Sequence, residues 1–505
     1  MKRFAAVILL LWGLFLPVHL EAGITHRHCR GRSYSLQNPC VIVNPYNVNP
    51  LVAVIQFVTK KPAQISLEIV GKDGAAPIKT TFDPISKVHK IPVLGLYPNY
   101  NNQIVLTAAY KDKTTETANV YIQTEKITSP IKYIVTQKED AQTNYYWLTN
   151  GMVVDEAGEF RFMFDDKSSI RYYFPGQIVT EDRIRGLKTY TLFGKLKKSY
   201  SYPKGFVSFT HGLGLTPSGN FLVIGSMGGK KITVNGETLL TQRDFIIEID
   251  KDSGKAIKQV DLGKLLNPNR STIVTQGADF GLRDWCHING IDSDASDESW
   301  VVSCRNQGIM KITKKGTLDW LITPKKGFEK SGRDGEGPAL WDQILTAVDA
   351  AGNPYSEKVQ KGEAPAENFK WPSSNHSVQT VEPQVYALYD NAGKVNDPNL
   401  FTTMHSNAVV FRVDPEKRTV QTVWMEKLPV YSSAGSNVLY EPLQKRVVVY
   451  SSFIEDKSDP SVSDGFITRY DLSTHRPLFS AKLKQSNRDW IYQLQPFKFY
   501  PENER

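Results

Sequence analysis

One piece of sequence recurs along the last two-thirds of the chain: an apolar strand-like run, a turn bearing acidic residues or glycine, and a second run. It reads Met152-Val-Val-Asp-Glu-Ala-Gly, Phe245-Ile-Ile-Glu-Ile-Asp-Lys-Asp-Ser-Gly, Ile309-Met-Lys-Ile-Thr-Lys-Lys-Gly, Val409-Val-Phe-Arg-Val-Asp-Pro-Glu and Phe466-Ile-Thr-Arg-Tyr-Asp-Leu-Ser. Successive starts lie 57 to 100 residues apart, so the repeat carries insertions. A unit that cannot bury its apolar face alone must stack on its neighbours. Several copies are preceded by a second hairpin, and two hairpins make a four-stranded blade. At roughly 40–60 residues per blade, residues 141–505 predict a six-bladed β-propeller, with seven blades also compatible.

Three of those preceding hairpins carry a histidine at a matching place: His211, His287 and His376, from nine histidines in the chain. Equivalent positions in a radial repeat converge on the axis, so the three predict one centre. His26, His28, His89, His405 and His475 fall outside this pattern and read as structural or solvent-exposed. A metal on the three histidines is one reading, although no Asp or Glu accompanies them at a constant offset. No phosphate loop of the Walker type and no Gly-x-Ser-x-Gly elbow is present.

Residues 23–125 read as a small all-β sandwich with strands near 41–43, 51–58, 65–70, 104–109 and 118–122, and 124–140 as a polar linker. Residues 1–22 read as a secretory signal: Lys2 and Arg3, an apolar core from Ala5 to Pro17, and Leu20-Glu-Ala22 before a cut at Gly23. That core is short for a bilayer span, so the expectation is an exported protein with no membrane insertion once the signal is cut, an uncleaved anchor being the alternative. Without Lys2, Arg3 and Glu21 the net charge of +9 becomes about +8. The basic residues are scattered rather than striped with aromatics, which argues against nucleic acid as a partner.

Four cysteines in an exported chain predict two disulfides, made by the periplasmic disulfide-forming machinery. Three pairings are open, and proximity favours Cys29–Cys40 and Cys286–Cys304. If Asp294-Ala-Ser-Asp297 turns a bulge-free hairpin, Cys286 stands opposite Cys304. His287, Asn289, Ser303 and Arg305 then share the other face, a site suited to an oxyanion. Residues 323–375 form a long insertion with a glycine-rich stretch (Ser331 to Gly337) and a short helix expected at Ala339–Val348. It ends at His376.

The stretches Asp284-Trp-Cys-His-Ile-Asn and Ser303-Cys-Arg-Asn-Gln-Gly resemble those of the bacterial periplasmic arylsulfate sulfotransferases. So do Val41-Ile-Val-Asn-Pro-Tyr, Ile91-Pro-Val-Leu-Gly-Leu-Tyr, Asp261-Leu-Gly-Lys-Leu-Leu-Asn-Pro and Pro324-Lys-Lys-Gly-Phe-Glu-Lys. The resemblance implies a homodimeric six-bladed propeller behind a β-sandwich. It implies transfer of a sulfuryl group from an aryl sulfate donor to a phenolic acceptor, with no metal or other cofactor. Carried over by residue, His376 is the nucleophile that becomes sulfated, and His211 and His287 contact the reacting oxygen and sulfate. Arg305 binds sulfate, with Asn289 beside it, and Ser436 stands where relatives carry a sulfate-holding Thr or Ser. Two rival readings are a metal-dependent propeller lyase or hydrolase and a non-catalytic exported binding propeller.

Overall fold

In a computed structural model the described residues are 29, 33–127, 132–138, 146–151, 160–165, 170–175, 179–182, 186–201, 203–234, 237–268, 284–328, 337–392, 405–455, 459, 462–486, 491–497 and 499–500. Side chains of several strand segments, 146–188 and 207–212 among them, are not described. The expected signal at 1–22, with His26 and His28, lies outside the described residues.

The first sheet contains β1 (Cys40–Val43), β2 (Val52–Ile69), β3 (Ile78–Leu94), β4 (Asn101–Tyr110) and β5 (Thr115–Gln123). Two runs that read as separate strands, near 51–58 and 65–70, are one long β2 with register breaks between Val58 and Ile65. The first half of β2 pairs with β1 and the end of β3. Its second half pairs with the start of β3 and with β4, so the sheet folds over its own core of Ile55, Phe57, Ile65, Leu67 and Leu106. In β5 every second residue from Ala118 to Ile122 is buried, the alternation of a sheet with one wet face.

Next come β6 (Lys132–Lys138), β7 (Tyr146–Gly151), β8 (Phe160–Asp165) and β9 (Ile170–Pro175). A three-stranded sheet follows, of β10 (Val179–Asp182), β11 (Gly186–Tyr190) and β12 (Leu196–Ser201). The next sheet is β13 (Phe206–Leu215), β14 (Phe221–Val234), β15 (Glu237–Ile249) and β16 (Ala256–Asp261), after which α1 (Leu262–Leu265) is capped by Asp261. Then come β17 (Ile288–Asp294), β18 (Ser299–Cys304), β19 (Gly308–Ile312) and β20 (Leu318–Ile322). After β21 (Thr346–Ala347) and α2 (Glu357–Gln360), a further sheet holds β22 (Asn375–Glu382), β23 (Val385–Asp390), β24 (Asn407–Asp414) and β25 (Thr419–Lys427). The last strands are β26 (Asn437–Glu441), β27 (Arg446–Glu455), β28 (Val462–Asp471), β29 (Pro477–Ser486) and β30 (Ile491–Phe497).

Among the described residues six sheets follow the first one, antiparallel apart from the parallel β21–β25 pair, and two of them join distant parts of the chain. β6 pairs with β29, from Lys132 opposite Lys484 to Lys138 opposite Phe479. β30 pairs with β7 at the edge of the β7–β8–β9 sheet. The stretch read as a polar linker therefore carries a strand, because the open edge of β29 supplies partners that sequence does not reveal.

Consecutive sheets stack face to face. Leu222, Ile224 and Ile246 meet Trp285, Trp300, Val302 and Met310. Val301, Ile309, Trp320 and Ile322 meet Tyr386, Leu388, Val409 and Phe411. Ala387, Tyr389 and Val410 meet Val438, Val447 and Val449. Val448, Tyr450 and Ile467 meet Ile491 and Leu494. Neighbouring residues of β18 thus face opposite sheets, so all six are buried and the strand reads as a continuous apolar run. Face-to-face stacking in chain order, with both ends sewn in, is a β-propeller.

The recurring acidic turn has a local cause. Asp250, Asp414 and Asp471 each accept backbone N–H groups two or three residues on, through Ser253, through Glu416 and Lys417, and through Ser473 and Thr474. These are Asx turns joining the third and fourth strands of three of the sheets. In the insertion, residues 339–348 form no helix. Leu321 and Leu345 exchange backbone bonds with this segment and Thr346–Ala347 lie beside Thr419–Val420, so pairing with sheet edges overrides the local helical pattern. No helix among the described residues is long and apolar enough to cross a membrane.

Candidate active site

The first strands of successive sheets, β13, β17, β22, β26 and finally β30, lie side by side. His211 is in β13, His287 immediately precedes β17 and His376 is the second residue of β22. Small residues allow the approach. A Cβ on Gly214 would stand 3.1 Å from the Ile291 carbonyl oxygen, and one on Gly290 3.0 Å from Val378 N. Each glycine stands three places after its histidine, at the closest contact with the next inner strand. The side chain of His211 lies outside the described residues.

His376 is 2% exposed. Its Nδ1 is 2.6 Å from Asn391 Oδ1 and 3.1 Å from the Ser374 carbonyl oxygen. Both are acceptors, so Nδ1 carries the hydrogen and Nε2 keeps its lone pair. The Asn391 amide cannot turn round: its Nδ2 donates to the Ser432 carbonyl at 3.0 Å and to Ser432 Oγ at 3.2 Å. Burial above all, then the positive charge of Arg305 and that of His287, pull the His376 pKa down to about 3. The imidazole is therefore neutral at ordinary pH, and the edge of Tyr492 packs on it with ring centroids 5.9 Å apart.

His287 Nδ1 is in contact with Asp284 Oδ2. A carboxylate accepts, so this pairing puts a hydrogen on Nδ1 and turns Nε2 outward as the exchangeable position. The His287 carbonyl accepts the Arg305 N–H at 3.0 Å, which sets these two residues side by side. Among the described residues the Arg305 side chain has no ion-pair or hydrogen-bond partner, and its Nε is buried. A guanidinium in that state can take an anion as partner.

The hairpin behind these groups departs from the bulge-free register. Ile291 pairs with Val302, so the turn centres between Ser296 and Asp297 rather than near Ala295; with Asn289 an extra residue in β17, Ile288, not Cys286, stands opposite Cys304. The disulfide Cys286–Cys304 forms nonetheless, from the residues just before β17 to the end of β18, and Cys29–Cys40 is the second. Asn289 faces Ser303, as expected. Ser303 Oγ donates to its Oδ1 at 2.7 Å, Asn375 Nδ2 donates to Ser303 Oγ at 2.7 Å, and Asn289 Nδ2 donates to the Asn375 carbonyl at 2.6 Å. This ring ties β17 and β18 to β22, so much of the Asn289 amide is spent on structure.

Ser436, fully buried, stands in the support of Asn391. Ser432 Oγ donates to the Ala434 carbonyl, Ser436 Oγ then donates to Ser432 at 2.8 Å, and it accepts the Ser452 N–H at 2.8 Å. Its hydroxyl hydrogen is already committed. His287, Ser374, Ser377 and Ser436 have φ of 53°, 57°, 58° and 82°, left-handed conformations that side chains resist. Asp284 and Asn391 carried no assigned role in the sequence. Asp284 had a readable cue, a carboxylate three places before a histidine, whereas Asn391 reaches His376 only through the pairing of β22 with β23. His89 hydrogen-bonds Thr59 within the first sheet, His475 stacks on Trp424, and His405 is exposed.

The inner strands of this propeller thus gather a buried histidine, a histidine held by a carboxylate and an arginine, the kinds of group that transfer of an anionic group needs. The arylsulfotransferase (ASST) family model matches residues 108–493, and the arylsulfotransferase Ig-like domain model residues 40–125. The chain belongs to the arylsulfotransferase family and is a sulfotransferase. The arylsulfate sulfotransferase AssT of Escherichia coli O6:H1 is 24% identical over 84% of this chain and 84% of that protein. AssT of Lelliottia amnigena is 23% identical over 92% of this chain and 89% of that protein. Among solved structures, the Dos1 propeller is 10% identical over 90% of this chain and 92% of that one. Its TM-score of 0.27 is too low to bear on the fold, which rests on the strand pairings above.

Proposed function

We propose that the protein moves a sulfuryl group from an aryl sulfate to a phenol in two steps, through a sulfohistidine at His376 Nε2. The observation that carries this reading is the fixed tautomer of His376. In the first step the Nε2 lone pair forms a bond to sulfur, the sulfur–oxygen bond to the aryl group breaks, and the phenolate leaves with that electron pair. The ring becomes cationic as it forms, and its Nδ1–H then binds Asn391 Oδ1 and the Ser374 carbonyl more strongly, which favours the transition state over the ground state. Arg305 balances charge on the sulfuryl oxygens, and His287 Nε2 gives a proton to the leaving phenolate. In the second step the acceptor phenol returns a proton to His287, its oxygen attacks sulfur and the bond to His376 breaks. His211 is assigned a supporting contact with the reacting oxygen. Ser436 is assigned to holding Asn391 rather than sulfate, and Asn289 to spacing the sheets.

The rest of the reading follows the sequence. Each of the six sheets is one blade, residues 1–22 are a signal removed on export to the periplasm, and two copies associate as a homodimer. The experiment is mass spectrometry of the full chain quenched after mixing with nitrophenyl sulfate and no acceptor. A sulfuryl group on the peptide bearing His376, absent from a His376→Gln variant that has lost transfer by roughly 10³-fold or more, is the expected result. An unmodified His376 peptide after a stoichiometric release of nitrophenol overturns it.

A further inference from the structure

We propose that a cavity between the 323–375 insertion and the strands β24 and β25, apart from the centre at His376, binds a small uncharged aromatic molecule of the phenol class. The inference does not depend on the reaction assigned to His376; it adds a second site on the same sheet.

The cavity measures about 320 Å³, within the range of pockets that hold small organic molecules, and every residue lining it is among the described ones. The insertion supplies Val359, Phe369 and Trp371 to its lining, β25 supplies Met425 and Lys427, and β24 its first residue, Asn407. Its place follows from the strand register. One row of paired residues crosses the sheet: Asn375 opposite Asp390, Asp390 opposite Asn407, and Asn407 opposite Lys427. His376 follows Asn375 at the inner end of that row. The cavity takes the outer end, roughly 14 Å away at ordinary strand spacing. Asp390 stands between them in the row, 1% exposed, so packed protein separates the cavity from the imidazole.

The aromatic part of the lining is held in place. Trp371 Nε1 donates to the Val359 carbonyl at 2.6 Å. Phe369 meets the Trp371 ring edge-on with centroids 4.8 Å apart, and lies 5.6 Å from the Phe411 ring. The insertion itself is tied down, since the Gln360 side chain accepts the Ala347 N–H at 3.0 Å and donates to the Ala347 carbonyl at 2.7 Å. Rings fixed in this way, together with the Met425 thioether, offer contacts to a flat aromatic guest at little entropic cost. The charges of the lining cancel. Lys370 Nζ is held 2.9 Å from Asp390 Oδ2 and donates to the His405 carbonyl at 3.3 Å. Lys427 and Glu367 are exposed and opposite in sign, and neither has an ion-pair partner among the described residues. They leave no surplus cation for a sulfate ester, yet one can donate to a hydroxyl oxygen and the other accept from a hydroxyl. A ring bearing a hydroxyl therefore suits this cavity better than an anionic aryl group does.

The test is photolabelling of the full chain with 4-azidophenol at neutral pH, the labelled residues being located by mass spectrometry. Label should appear between Phe369 and Trp371 or between Met425 and Lys427, and excess phenol should displace it. In Met425→Trp, which fills the cavity, that label should fall by about tenfold or more. The anion 4-azidobenzenesulfonate, which has no hydroxyl, should label the same residues about fivefold less or weaker still. Absence of displaceable label at these residues in the wild type, or its survival in Met425→Trp, overturns the site. Equal labelling by the sulfonate overturns the ligand class. The labelling uses no sulfuryl donor. An unmodified His376 in the trapping experiment, with the cavity label intact, would therefore refute the sulfohistidine and leave this site standing.

Discussion

At the scale of single residues, the neutrality of His376 is made by its surroundings rather than by its own chemistry. Burial and, after it, the charge of Arg305 keep it unprotonated, while one side-chain amide decides which nitrogen is free. Asn391→Ala removes that amide but leaves the Ser374 carbonyl, so the tautomer is loosened rather than lost. We expect kcat to fall roughly 10²-fold with little change in KM, measured by steady-state transfer from nitrophenyl sulfate. A loss as large as that of His376→Gln, or none, would contradict the role given to Asn391. His287, His376 and Arg305 were legible in the sequence because each sits at a set place in a repeat or a hairpin. Asn391 was not, since it meets His376 only through the pairing of β22 with β23.

At the scale of elements, the bulge at Asn289 and the Cys286–Cys304 bridge work on the same hairpin. The extra residue shifts the register by one, and the disulfide pins the lead into β17 against the end of β18 where His287 and Arg305 stand. Replacing both cysteines by serine should lower stability by about 3 kcal/mol, as expected for closing a loop of this size. A drop in melting temperature from that of the wild type is the measurement, and equal melting of the two proteins would refute it. The disulfide partners could be read from proximity, but the bulge could not. A one-residue shift leaves the same apolar pattern on both strands, and only the neighbouring sheet distinguishes the registers. The helix expected at Ala339–Val348 failed for a related reason: exposed edges at β20 and β25 offered that backbone partners more favourable than its own.

At the scale of the whole molecule, the ends of the chain hold the ring together. Tyr492 in β30 packs on His376, Phe499 enters the core of the first sheet, and Tyr500 Oη donates to the Pro92 carbonyl while accepting the Leu94 N–H. A chain stopped after Ser486 loses all three, together with the partner of β7. We expect it to lack a cooperative unfolding transition, followed by circular dichroism on heating. A melt like that of the full chain would show that β30 is dispensable. The repeat revealed the stacked sheets, but no local pattern marks which strand closes a ring across some 350 residues, as between Lys132 and Lys484.

That span also governs how the molecule comes into being. A chain made from its amino end presents β6 long before β29 exists, and β7 before β30. Both early strands must wait with bare edges until nearly the last residues arrive. The time between the first and last of those strands is when this protein is most open to mispairing with its neighbours, and when a holding chaperone has most to protect.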